Sequence, residues 1–191
     1  MPRETPHTMF TVYQDYIIKN SDTPVLTRQD DGHFEPTNCY FLEFMVRPDD
    51  KAMDKIKALC KPFGFDTGVR YAISKHGSLP DNVQRIFLLG GPEIIKTEFT
   101  NPNDFLAIAL CDDGPENTEI QYFEVNYIFR HSYDPNKQYR RVGTSAVKAL
   151  QKNYQTRELW GESAMEALNF WLKNDFTRIN NQDFRIRWHQ K

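Results

Sequence analysis

Two short segments carry residues whose types and spacing could do chemistry. The first is Tyr139-Arg-Arg-Val-Gly-Thr-Ser145, between a predicted strand and a predicted helix. Arg140, Gly143 and Ser145 fit the form Gln/Arg-x-x-Gly-x-Gly/Ala, with serine as the closing small residue. A tight turn at the positive end of a helix aims successive N–H groups into one concavity, and such a nest holds a pyrophosphate without side-chain charge. Gly143 would let backbone and phosphate come close. Lys137, Arg140, Arg141, Lys148 and Lys152 make the region basic. That suits attraction of phosphates; for Lys148 and Lys152 a solvated helix face explains the charge equally well.

The second segment is Ala167-Leu-Asn-Phe-Trp-Leu-Lys-Asn-Asp-Phe176. It fits Ala-x-x-Phe-Tyr-x-Lys-x-Gly-Phe, with Trp171 in the tyrosine place and Asp175 in the glycine place. Read alone, it is an amphipathic helix with an aromatic stripe.

The elements that must position these segments can be read from hydrophobic period. Val142, Ala146, Ala149, Leu150 and Tyr154 share one side of a helix over Val142–Tyr154. Before it come a buried strand at Phe105–Cys111, an acidic turn at Asp112–Asn117 and a long strand from Glu119 to about Arg130, paired antiparallel through the turn. After it come a short strand at Arg157–Trp160 and a helix opened by Ser163-Ala-Met-Glu166, which has the form of a capping box. Met165, Leu168, Trp171 and Leu172 should face inward from that helix, and short strands at Thr177–Ile179 and Phe184–Trp188 finish the order.

The N-terminal part is less regular. A strand is expected within Phe10–Ile18, a turn at Asp30–Gly32, a strand at Cys39–Val46 and a helix over about 51–61. Val69–Ser74, Val83–Leu89 and Glu93–Phe99 are further strand candidates, the last also readable as a short helix. No repeat or low-complexity tract interrupts the chain, which reads as one domain over 1–191.

Composition excludes several function classes. The 191 residues are 39% apolar and 26% charged, as in an ordinary globular domain, and the 14% aromatic content argues against disorder. A formal charge of −2 lacks the basic surplus of a non-specific nucleic-acid binder. The longest apolar runs fall far short of the about 20 residues that span a bilayer, and the polar start lacks a signal-peptide core. Three widely spaced cysteines form neither a metal pair nor a disulfide framework and suggest reduced thiols in a cytoplasm. Five scattered histidines offer no metal site. No nucleophilic serine or cysteine constellation can be assembled, and Cys111 reads as core.

The order and spacing of the two segments, joined by one helix and one short strand, resemble the GNAT superfamily of N-acetyltransferases over about 104–191, and more loosely over 39–62. The resemblance implies an α/β (α+β) fold whose central mixed, mostly antiparallel sheet is flanked by helices, with splayed fourth and fifth strands. Glu119–Arg130 would be the fourth strand and Arg157–Trp160 the fifth, with acyl-CoA, most simply acetyl-CoA, in the cleft between them. Residues 104–191 would then bind acyl-CoA, and 1–103 would supply the acceptor side.

By position, the resemblance implies that Val142, Gly143, Thr144 and Ser145 donate backbone N–H groups to the pyrophosphate, beside Arg140 and Arg141. Backbone groups of Tyr127, Ile128 and Phe129 would pair with the pantetheine. Glu124 would be the catalytic base for a primary amine, its carboxyl raised by a partly apolar cleft. Strand parity sets Tyr122, Glu124, Asn126 and Ile128 on one face and Phe123, Val125, Tyr127 and Phe129 on the other, unless a bulge shifts the facing. Trp171 would touch the cofactor where the family commonly has an acid tyrosine, but an indole cannot deliver a proton at neutral pH. Two readings follow: an N-acyltransferase, or a non-catalytic GNAT-fold module that binds acyl-CoA or a protein partner. The acceptor is not legible, and sheet pairing common in the family leaves a homodimer open.

Overall fold

A computed structural model describes residues 16–45, 83–92, 105–126, 139–181 and 183–190. The helix expected over 51–61, the strand candidates at 69–74 and 93–99 and most of the 10–18 stretch lie outside the described residues.

The architecture is a mixed α/β fold built on a large, mostly antiparallel sheet. Its eight strands are β1 (Tyr16–Asn20), β4 (Tyr40–Met45), β5 (Val83–Gly90), β6 (Phe105–Asp113), β7 (Asn117–Val125), β9 (Glu158–Glu162), β10 (Thr177–Arg178) and β11 (Arg185–Trp188). They lie in the order β1-β4-β5-β6-β7-β9-β11-β10. A smaller sheet joins β2 (Val25–Arg28) to both β3 (Phe34–Thr37) and β8 (Tyr139–Arg140). Two α-helices are described, α1 (Val142–Asn153) and α2 (Leu168–Lys173).

The central strand follows from its sequence. β6 is an unbroken apolar run carried into Asp112 and Asp113, and every residue of it is buried, as a strand covered on both faces requires. The expected antiparallel pairing with β7 is present, with the turn tightened to Gly114–Glu116. β7 then pairs with β9 in parallel, the geometry that a helical crossover through α1 permits.

The buried side of α1 is the one its period marks: Val142, Ala146, Ala149, Leu150 and Tyr154 are all buried, together with Val147. They pack on Phe41, Phe87, Ala107, Ala109, Cys111 and Ile120 of the sheet. Burying a side chain such as Val147 or Leu150 contributes about 1.5–3 kcal/mol, so this face holds the helix to the sheet.

Two polar features complete the frame. Glu43 accepts from Lys19 at 2.5 Å and Arg85 at 3.0 Å, while Asp113 accepts from Arg85 at 2.6 Å and Thr118 at 2.8 Å. Lys19 also reaches Asn153 at the end of α1, 2.5 Å away. The start of the chain meanwhile fastens the other end of the helix. Leu26 of β2 pairs with Arg140 and the Ser145 hydroxyl donates to the Thr23 carbonyl, while Lys152, beside Asn153 in the last turn, pairs with Asp22.

The second helix departs from expectation. Ser163 does not cap it: its hydroxyl donates to the Ala164 carbonyl, and a 3-10 turn at Met165–Ala167 precedes α2. Neither N-cap carries a side-chain hydrogen bond. Against the inward facing expected of them, Met165 in the 3-10 turn is 71% exposed and Leu172 of α2 is 40% exposed, and Trp171 alone of α2 is buried.

Candidate functional site

β7 carries a bulge where the site begins. Leu110 pairs with Tyr122 and Cys111 with Ile120, so Gln121 is the extra residue. The bulge swings Ile120 onto the face packed by α1, with Phe123 and Val125 on that same side. It lies before Tyr122, so Tyr122 and Glu124 keep the common face expected of them.

Just at this point the sheet forks. The parallel register of β7 with β9 runs from Asn117–Glu158 to Ile120–Gly161 and ends there, while β9 continues against β11. Gly161 permits the apex, because a Cβ on it would stand 2.9 Å from the Ile120 carbonyl oxygen. Nothing in the sequence alone singles out this glycine: its only signal is a glycine inside a short strand, which marks close backbone approach.

Beyond the apex lies a cleft of about 740 Å³, within the usual range of small-molecule sites. Tyr122–Val125 form one wall, Gly161 and Glu162 begin the other, Arg140–Thr144 stand at one end, and Phe170 and Trp171 of α2 close the space. Seven expected site residues (Glu124, Arg140, Arg141, Val142, Gly143, Thr144 and Trp171) therefore line one cleft. Tyr127, Ile128 and Phe129 lie outside the described residues.

The loop end has the features of an anion seat. Arg141 is the N-cap, held in the left-handed region at φ 60°, and makes no side-chain cap bond. The N–H groups of Val142, Gly143 and Thr144 precede the first intrahelical donor, the Ser145 N–H, and no acidic residue occupies the first turn. Arg140 and Arg141 are exposed beside them, with the Arg140 guanidinium 3.8 Å from the centre of the Phe34 ring.

Two expectations change here, and a question left open about two lysines is answered. Ser145 does not line the cleft. Its N–H donates to the Arg141 carbonyl at 2.9 Å and its side chain is buried against Thr23, so the helix consumes the donor expected for phosphate. Gly143 is small for a different neighbour: a Cβ there would meet Phe170 at 3.1 Å and Val125 at 3.2 Å. Its missing side chain lets α1 close on α2 and β7. Lys148 and Lys152 are engaged with Asp175 and Asp22 and do not line the cleft.

The aromatic end is a packed cluster. Trp171 is 6% exposed, with ring centroids 5.2 Å from Phe123, 5.4 Å from Phe170 and 5.0 Å from Phe176. Asp175 adopts the left-handed conformation at φ 67° that its glycine place requires, while the Phe176 N–H donates to the Trp171 carbonyl to close α2. Glu124 is 6% exposed and accepts a hydrogen bond from the Tyr122 hydroxyl.

No family profile matches the chain, and no curated protein matches it. Among solved structures, the chain is similar to the crystal structure of Escherichia coli ElaA, at 10% sequence identity and a TM-score of 0.44. The likeness covers 77% of this chain and 96% of that one.

Among the described residues, no group of three or more His, Cys, Asp or Glu side chains could hold a metal ion, and no helix is long and apolar enough to cross a membrane.

Proposed function

We propose that the chain is an acyl-CoA-dependent N-acyltransferase of the GNAT type, transferring acetyl from acetyl-CoA to a primary amine. One observation carries the reading: three segments far apart in the sequence line a single cleft at a fork between two parallel strands. The start of α1, with three N–H donors and two arginines, suits the phosphates of CoA. The edge of β7 suits the amides of the pantetheine, a role the resemblance gives to Tyr127, Ile128 and Phe129. The thioester then lies near the fork, beside Glu124.

Attack on the thioester needs a neutral amine, so a proton must leave the ammonium. Glu124, a carboxylate buried in the cleft wall, is the acceptor in this reading. The C–N bond forms as the C–S bond breaks. Trp171 contributes packing only, because its N–H donates a hydrogen bond but not a proton.

A second reading rests on the same tryptophan. Trp171 is buried among Phe123, Phe170 and Phe176, an arrangement that a non-catalytic module binding acyl-CoA or a protein partner would also keep. Thiol release from acetyl-CoA, followed with a panel of primary amines, separates the two. The enzyme reading predicts release that falls on the order of 10²–10⁴-fold in Glu124→Gln with acetyl-CoA affinity unchanged. Full activity in that variant would remove Glu124 from the mechanism, and no release from the wild type would favour the module.

A further inference from the structure

We propose that Tyr122 protonates the departing thiolate and works as a pair with Glu124; the inference rests on the acyl-transfer reading above. With Trp171 in the tyrosine place, that position supplies no proton for the sulfur. Two tyrosines among the described residues line the cleft, Tyr122 and Tyr139. Tyr139 belongs to β8, next to the arginines of the loop and therefore at the phosphate end. Tyr122 stands two residues before Glu124 on the same face of β7, and its hydroxyl donates to Glu124 Oε2. Tyr154 is no alternative, being buried beneath α1 among Phe87 and its neighbours.

The pair can move one proton from nitrogen to sulfur and finish as it began. Glu124 first hands the ammonium's proton on to solvent; the neutral amine then forms its bond to the thioester carbon, and the nitrogen's second, surplus proton passes to the again ionised Glu124 carboxylate. As the C–S bond breaks, the Tyr122 phenol gives its proton to the sulfur. Protonated Glu124 then returns a proton to the phenolate across the existing hydrogen bond. Charge fixes the order, because a phenol bonded to a carboxylate cannot release its proton without setting two anions side by side. Once Glu124 has taken the amine's proton, that obstacle is gone. The donor is therefore armed by the attack it must follow.

The geometry also explains why the bulge falls where it does. Gln121 takes up the extra residue before Tyr122, so Tyr122 and Glu124 stay in alternate positions of a regular strand. A bulge between them would have turned the phenol away from the carboxylate.

The test uses the full chain, with acetyl-CoA as donor and spermidine as acceptor, reading free thiol above the enzyme-free rate. Tyr122→Phe should lower kcat on the order of 10²-fold, with the KM for acetyl-CoA and the melting shift it produces unchanged. Tyr122→Phe combined with Glu124→Gln should be no slower than the slower single variant, since the two groups serve one proton path. Wild-type kcat in Tyr122→Phe, losses that multiply in the double variant, or a lost melting shift in Tyr122→Phe would each overturn the assignment. Those outcomes in an active wild type leave acyl transfer standing. A wild type that releases no thiol overturns acyl transfer itself, and Tyr122 with it.

Discussion

Gly161 of β9 approaches β7 so closely that a Cβ on it would stand 2.9 Å from the carbonyl oxygen of Ile120. This contact is the last of the parallel pairing, and the cleft opens directly beyond it. Backbone cannot yield as a flexible side chain can, so Gly161→Ala must push β9 away from β7. The variant should lose about 1–3 kcal/mol of stability in urea denaturation and bind acetyl-CoA more weakly. Wild-type stability would mean that the apex tolerates separation and does not define the cleft.

Gly143 poses a milder version of the same question. Its absent Cβ faces the Phe170 ring and a Val125 methyl at 3.1–3.2 Å, and side chains can adjust. Gly143→Ala should cost about 1 kcal/mol by overpacking, offset in part by alanine's better helix propensity. Adding Phe170→Leu should recover that loss in a double-mutant cycle. Additive effects would show that Gly143 does not press on Phe170.

Arg141 separates stability from binding. As a non-glycine residue at φ 60°, it adopts a conformation that costs about 1 kcal/mol for most side chains. Arg141→Gly should therefore leave stability unchanged or raised by up to about 1 kcal/mol, while weakening acetyl-CoA binding and flattening its salt dependence. Unchanged affinity would exclude the Arg141 guanidinium from the phosphate seat.

Hydrophobic period makes α1, β6 and β7 legible before any coordinates, because each buries a face whose spacing is written in apolar residues. The loop at Arg140–Thr144 is legible for a related reason, since it joins a strand to a helix through basic and small residues. Ser145 is not: a small residue near a helix start serves a nest or a close contact equally well, and here the contact with Thr23 wins. Ser163–Glu166 has the composition of a cap, yet Ser163 turns to the Ala164 carbonyl and the helix starts later. The short polar strands β2 and β3 give no strong period, so the hairpin that steadies Arg140 goes unread apart from its turn. Gly161 matters through a contact between strands, which spacing along one strand cannot express.

Two buried groups beneath α1 predict an alkaline limit to stability. Burial pushes the Cys111 thiol well above its ordinary 9.0, helped by the nearby Asp113 carboxylate. Burial likewise raises the Tyr154 phenol above its ordinary 10.0. In the unfolded chain both groups ionise near those ordinary values, whereas the folded protein keeps their protons. Their contribution is thus full below about pH 9 and falls above it, by up to about 1.4 kcal/mol per pH unit for each group. Urea midpoints measured from pH 7 to 11 should be flat with respect to these groups until about pH 9 and then decline. Cys111→Ser should soften the first part of that decline, and a profile identical to wild type would contradict the assignment.

The central claim, that the forked cleft holds acyl-CoA by its phosphates, is tested most directly by the melting temperature with acetyl-CoA, against CoA and ATP. Ligand at a hundred times its dissociation constant adds about 2.7 kcal/mol of stability, a readily measured shift. The account predicts a clear rise with acetyl-CoA and with CoA, none with ATP, and a smaller rise in Arg141→Gly. No rise at millimolar acetyl-CoA would contradict it.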